Sequence, residues 1–144
     1  MKKSDTIATE LSQLMPTFLR HMYPYIFQPI ALPPSQVVAL VSIQEKGRCT
    51  LSELRKAMHV SAPTVTGIVD RLERDHYLVR IYDQMDRRVT YVRLTGKGAW
   101  IVKKFRINIK KRWQHILSHM PLETGDMVVR MVRQITKGFE DGSI

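Results

Sequence analysis

With 144 residues, 44% hydrophobic and 25% charged, the chain has the size and balance of one folded domain, which excludes a wholly disordered or fibrous protein. A single cysteine, Cys49, excludes a disulfide framework within one chain, and the longest clean apolar run, Val37 to Val41, is too short to span a bilayer. Lys and Arg number 23 against 13 Asp and Glu, a formal charge of +10, which suits a partner that is a polyanion.

No apolar stretch follows the two lysines near the start, so no signal peptide and a cytoplasmic location are expected. Ile7, Leu11, Leu14, Phe18 and Met22 predict an amphipathic helix over 5–28, kinked at Pro16 and kinked or ended at Pro24. After the break at Leu32-Pro33-Pro34, Ser35 is expected to cap a helix over 35–46 that Gly47 closes. Thr50 and Glu53 have the spacing of a capping box at the start of a short helix, with Leu51, Leu54 and Met58 as its apolar stripe. Ser61 is the expected N-cap of a helix over 62–75, with Pro63 in its first turn. Leu78–Tyr82 and Val89–Leu94 flank the polar tip Asp83-Gln84-Met85-Asp86-Arg87-Arg88 and predict a hairpin. Thr95 caps a long helix reaching about 119, with Val102, Phe105, Ile109, Trp113 and Ile116 on one face. Pro121 breaks it, and Met127, Met131, Ile135 and Phe139 mark a last helix over 124–139.

The order helix, helix, helix, helix, hairpin, helix, helix predicts a mainly α fold, the winged helix-turn-helix. Within the single domain 1–144, residues 33–94 form its expected DNA-binding lobe. The helices at 5–28 and 95–140 carry apolar stripes with no evident partner in so small a lobe, and a two-fold homodimer is the simplest way to bury them.

On a helical wheel of 62–75, Val65, Ile68, Val69 and Leu72 gather on the core side. Pro63, Gly67, Asp70 and Arg74 fall opposite, with Thr64, Thr66 and Arg71 on the flanks. Asp70 with Arg74, and Arg71 with Asp75, have the spacing for ion pairs along the helix. Both acids lie in its C-terminal half, which turns Ser61, Pro63, Thr64, Thr66 and Gly67 toward a major groove. Arg71 and Arg74 are long enough to reach phosphates. At the hairpin tip, Arg87 and Arg88 suit a narrow minor groove, and Asp86 is placed to brace the Arg88 side chain. Alone, each feature is equally the solvated face of an ordinary element; in this order and spacing they predict binding to double-stranded DNA.

Leu51-Ser52-Glu53-Leu54, Val60-Ser61, Thr64-Val65-Thr66, Asp70-Arg71-Leu72-Glu73, Asp86-Arg87-Arg88 and Leu94-Thr95-Gly96-Lys97-Gly98 together resemble the MarR family of transcription regulators, as does Pro34-Ser35-Gln36. The resemblance covers about 33–98 by motif and nearly the whole chain by helix order. It implies a homodimer on a palindromic operator, usually a repressor, with an effector that is a small phenolic ligand, a metal or an oxidant. The sequence departs from the family pattern at His59 and His76, where glycine is frequent, at Gly67, where a longer polar side chain is frequent, and at Tyr77, where an aliphatic is usual. Histidine tolerates positive φ better than most residues, so both turns are expected to survive.

Other chemistry is set aside. His115 and His119 have a zinc-compatible spacing, but no Asp, Glu or Cys lies between Thr95 and Leu122, so neither a metal nor a cofactor is expected. Neighbouring Arg48 would lower the Cys49 pKa modestly, yet a structural thiol is the simpler reading. There is no Gly-rich phosphate loop, paired-carboxylate motif or nucleophile elbow, so no enzyme is expected. Lys97, Lys103, Lys104, Arg106, Lys110, Lys111 and Arg112 make the fifth helix basic throughout, which serves general steering, flanking DNA or a small anionic or phenolic effector. His21, Tyr23 and Tyr25 serve either such an effector pocket or the core. The competing reading is a winged-helix module for a protein or RNA partner.

Overall fold

The computed structural model describes residues 3–144; Met1 and Lys2, the start of the stretch read for a signal peptide, lie outside the described residues. In chain order the elements are α1 Lys3–Phe27, α2 Pro34–Lys46, β1 Cys49–Thr50, α3 Leu51–Met58, α4 Ala62–Arg74, β2 Leu78–Tyr82, β3 Thr90–Leu94, α5 Gly96–Leu117 and α6 Leu122–Asp141. The fold is mainly α and is a winged helix-turn-helix: α3, a tight turn and α4, followed by the β2–β3 ribbon. Two compact units divide the chain, one running to Asn108 and the other from Ile109.

The core of the first unit comes from short apolar runs meeting at one centre. Val37, Leu40 and Ile43 of α2 face Leu54 of α3 and Val65, Ile68, Val69 and Leu72 of α4, with Leu78 and Val92 from the ribbon, all buried. Each such side chain contributes roughly 1.5–3 kcal/mol by leaving water, before conformational entropy is set against it. The four α4 residues are those that its periodicity selects. Phe27 at the end of α1 stacks on Phe105 of α5, ring centroids 5.4 Å apart.

Local chemistry sets the boundaries. Thr50 accepts the Glu53 N–H at 3.2 Å while the Glu53 carboxylate accepts the Thr50 N–H at 2.8 Å, closing the expected capping box. Gly47 ends α2 with φ 74°. His59 and His76 take left-handed conformations, φ 53° and 62°, so both turns keep the geometry that glycine would make easier. The expected cap at Ser35 is not formed. Pro33 occupies the N-cap and Pro34 opens the helix, where its missing N–H leaves one fewer donor to satisfy. Of the two outcomes expected at Pro24, a kink or an end, the helix does not end there; α1 runs through both prolines to Phe27, close to the expected span of 5–28.

One strand went unread in the sequence. Cys49–Thr50 pairs antiparallel with Val92 and Tyr91, making a three-stranded sheet in the order β1-β3-β2. Two residues carry too little periodicity to signal a strand, and only the fold brings β3 alongside. The β2–β3 register runs from Leu78↔Leu94 to Tyr82↔Thr90.

In the second unit, α6 and the end of α5 enclose an apolar groove of about 390 Å³ lined by Trp113, Leu117, Val128, Val129, Val132 and Arg133. The α6 stripe Met127, Met131, Ile135 and Phe139 is 41–66% exposed. On α1, in the first unit, Ile7, Leu11, Leu14 and Phe18 are 48–58% exposed. Among the described residues, no helix is long and apolar enough to cross a membrane.

Candidate nucleic-acid interface

The first two turns of α4 present a prepared polar surface. Ser61 caps the helix, accepting the Thr64 N–H at 3.3 Å, and its hydroxyl lies 2.7 Å from that of Thr64. Pro63 sits in the opening turn. The Thr66 hydroxyl donates to the Ala62 carbonyl at 2.9 Å, which leaves its oxygen lone pairs as acceptors. An acceptor there suits an adenine N6 or cytosine N4 amine, and a threonine methyl suits a thymine methyl. Ser61, Pro63, Thr64 and Thr66 are exposed. A Cβ added at Gly67 would meet no atom of the protein within 4 Å, so the surface there is open to close approach.

The acids of α4 are handled differently from the sequence expectation. Asp70 does not pair with Arg74, nor Arg71 with Asp75. Instead Arg80, arriving on β2, donates to Asp70 at 2.6 Å and to the Glu73 carboxylate, while its own N–H donates to Glu73 at 3.3 Å. Burial works against the Arg80 charge, but the hydrogen bonds and charges of Asp70 and Glu73 outweigh it and hold its pKa above the ordinary value. A guanidinium fork anchored in the protein reaches two carboxylates with less ordering than surface side chains on one helix need. The result is that Arg80 offsets the repulsion two acids would exert on phosphate. Arg74 pairs with Asp75 at 3.4 Å, whereas Arg71 is exposed and has no carboxylate partner among the described residues.

Arg87 and Arg88 stand exposed at the wing tip. The tip is fastened by Asp83, which accepts the N–H groups of Met85 at 2.8 Å and Asp86 at 3.0 Å. These bonds favour the ionised form and lower the Asp83 pKa. Asp83 N–H also donates to Val89 O, and Val89 N–H to Asp86 O, both at 3.0 Å. Asp86 braces the tip through the backbone, accepting the Arg88 N–H at 2.9 Å rather than gripping the Arg88 guanidinium. An Asx turn is stronger here because backbone and carboxylate are already in range, while a flexible guanidinium must be ordered.

Behind α4, the start of α5 secures the turn into the ribbon. The Thr95 hydroxyl donates to His76 O at 2.7 Å and accepts the Gly98 N–H at 3.1 Å, and Lys97 Nζ donates to Asp75 O at 2.8 Å. Lys97 also lies over the Tyr77 ring at 4.2 Å, so the departure at Tyr77 supplies a cation–π contact. Gly98 passes so close to the Tyr77 carbonyl that a Cβ there would overlap it. The contacts that Arg80, Asp83 and Lys97 make were not foreseen from the sequence, although Asp83 was read in the hairpin tip and Lys97 in the basic fifth helix. Only Asp83 had a local signal, an Asp at the entrance of a hairpin turn.

Two set-aside features also find their places. Cys49 is buried, and burial followed by the nearby Glu53 charge raises its pKa, against a smaller opposite pull from Lys46. Arg48, expected to lower it, lies instead over the Tyr91 ring at 4.5 Å. His119 Nδ1 is 2.8 Å from His115 O, and the two rings meet edge-on at 5.0 Å.

A capped helix with an open polar face beside a basic wing defines a winged helix-turn-helix protein. The model of the MarR family matches residues 32–90. The chain is 31% identical to the uncharacterized HTH-type transcriptional regulator YsmB of Bacillus subtilis over 91 residues, covering 63% of this chain and 60% of that protein. It is 27% identical to the HTH-type transcriptional repressor MdtR of the same organism over 101 residues, 68% of this chain and 65% of that one. A crystallised MarR family protein from Bacillus stearothermophilus matches at TM-score 0.82 and 25% identity, covering 97% of this chain and 99% of that one. Over residues 32–90 the chain is similar to the MarR family. Its matches to the two curated relatives span under two thirds of their lengths.

Proposed function

We propose that this chain is a cytoplasmic, sequence-specific regulator of transcription that binds double-stranded DNA as a homodimer on a palindromic operator, and is not an enzyme. The observation that carries the reading is the division of α4: one face is buried in the core, while Ser61, Pro63, Thr64, Thr66 and Gly67 on the first two turns lie open and already capped. In this reading α4 enters the major groove, Thr64 and Thr66 select bases, and Arg71 and Arg74 bind phosphates. Arg87 and Arg88, held on the tip that Asp83 and Asp86 shape, enter the flanking minor groove. The positive charge supplies affinity for any duplex.

The homodimer is supported by the exposed apolar stripes on α1 and on α6, each an unusual surface for a protein acting alone. Repression is supported by the similarity to MdtR, which is named a repressor. Release by a small anionic or phenolic effector belongs to the same reading and follows from the family resemblance. Selection of genomic fragments by the purified protein, repeated across salt concentrations, tests it. Recovery of fragments sharing an inverted repeat is the expected result; recovery no better than random DNA contradicts it.

A further inference from the structure

Met85 stands at the wing tip with 96% of its surface exposed, above every other large apolar side chain among the described residues. Tyr82 beside it is also exposed, so the tip carries an apolar surface as well as a charged one. The backbone beneath Met85 is held by the hydrogen bonds from Met85 and Asp86 to Asp83 and from Val89 to Asp86. Its position is therefore fixed before anything binds, and only the side-chain rotamers are left to order. Two and three residues further on, Arg87 and Arg88 have no carboxylate partner among the described residues.

A solvated turn gains nothing from a long thioether held in water near two arginines. A minor groove fits both parts of this surface, because phosphates line its edges and the C–H groups of deoxyribose form its walls. A protein partner would need a broader apolar anchor than one flexible side chain on a narrow tip. We propose that Met85 is an apolar minor-groove contact, packing on the sugar walls beside the phosphate-seeking arginines. This rests on the DNA-binding reading above and adds a contact that carries no charge.

The test titrates a fragment recovered in the genomic selection with wild-type protein and with Met85→Ala, Met85→Leu and Arg88→Ala, over a range of salt concentrations. Met85→Ala is expected to weaken binding about fivefold at every salt concentration, with the slope of log affinity against log salt unchanged, because no counterion is displaced by a thioether. Met85→Leu is expected to restore affinity to about twofold of wild type, and Arg88→Ala to flatten the slope by about 1. Exposure of Met85 means its variants should keep the wild-type unfolding temperature. Affinity of Met85→Ala within twofold of wild type, or a changed salt slope in that variant, overturns the inference; if Arg88→Ala still flattens the slope, the DNA-binding reading survives. If wild-type protein selects no fragment, both fail together.

Discussion

Arg80 shows how one side chain can decide what a surface offers. Asp70 and Glu73 sit on the helix proposed to approach DNA, and Arg80 binds both while lying mostly within the protein. Removing it leaves two partly exposed carboxylates to water, so Arg80→Ala should cost about 1 kcal/mol of stability in a denaturant titration and also weaken DNA binding. Its sequence gave no hint of this role, since the partners lie seven and ten residues away and meet only once β2 has folded beside α4. The helical spacing rule was met by Asp70 and Arg74, yet the long-range partner won. Gly98 is as demanding in a different way. Gly98→Ala places a methyl against the Tyr77 carbonyl, where backbone rather than a flexible chain must move, and calorimetry should show a loss of about 2 kcal/mol or more.

Among the elements, those set by local chemistry were legible and those set by distant chain were not. The Thr50–Glu53 box and the Ser61 cap follow from residues three apart, and both form as read. Ser61→Ala should therefore cost about 1 kcal/mol in thermal or chemical unfolding. β1 needed Val92 and Tyr91 to become a strand, whereas α1 keeps close to the span its apolar period marks, with both prolines inside it. The face of α4 was legible because its apolar period is strict; the bonding of its acids was not. The box also fixes the sign of an acid effect. Backbone and side-chain hydrogen bonds from Thr50 lower the Glu53 pKa in the fold, so the unfolded chain takes the proton more readily. This contribution is full above the unfolded value and is lost as pH falls through the folded one. Glu53→Gln should flatten the acid limb of stability against pH in that window and leave the neutral region's slope unchanged.

For the molecule as a whole, charge, apolar surface and the open helix face lead to one assembly. The α1 and α6 stripes are proposed to be covered by a second copy, so Leu11→Glu or Phe139→Glu should shift sedimentation toward the monomer, with DNA affinity falling as the second half-site contact is lost. Hydroxyl-radical and methylation footprinting of the wild-type protein on a selected fragment tests the central claim most directly. The account predicts two major-groove contact patches about 34 Å apart, one turn of duplex, each flanked by minor-groove protection that Arg88→Ala removes. A uniform, unstructured footprint, or protection in which the major groove plays no part, would contradict it.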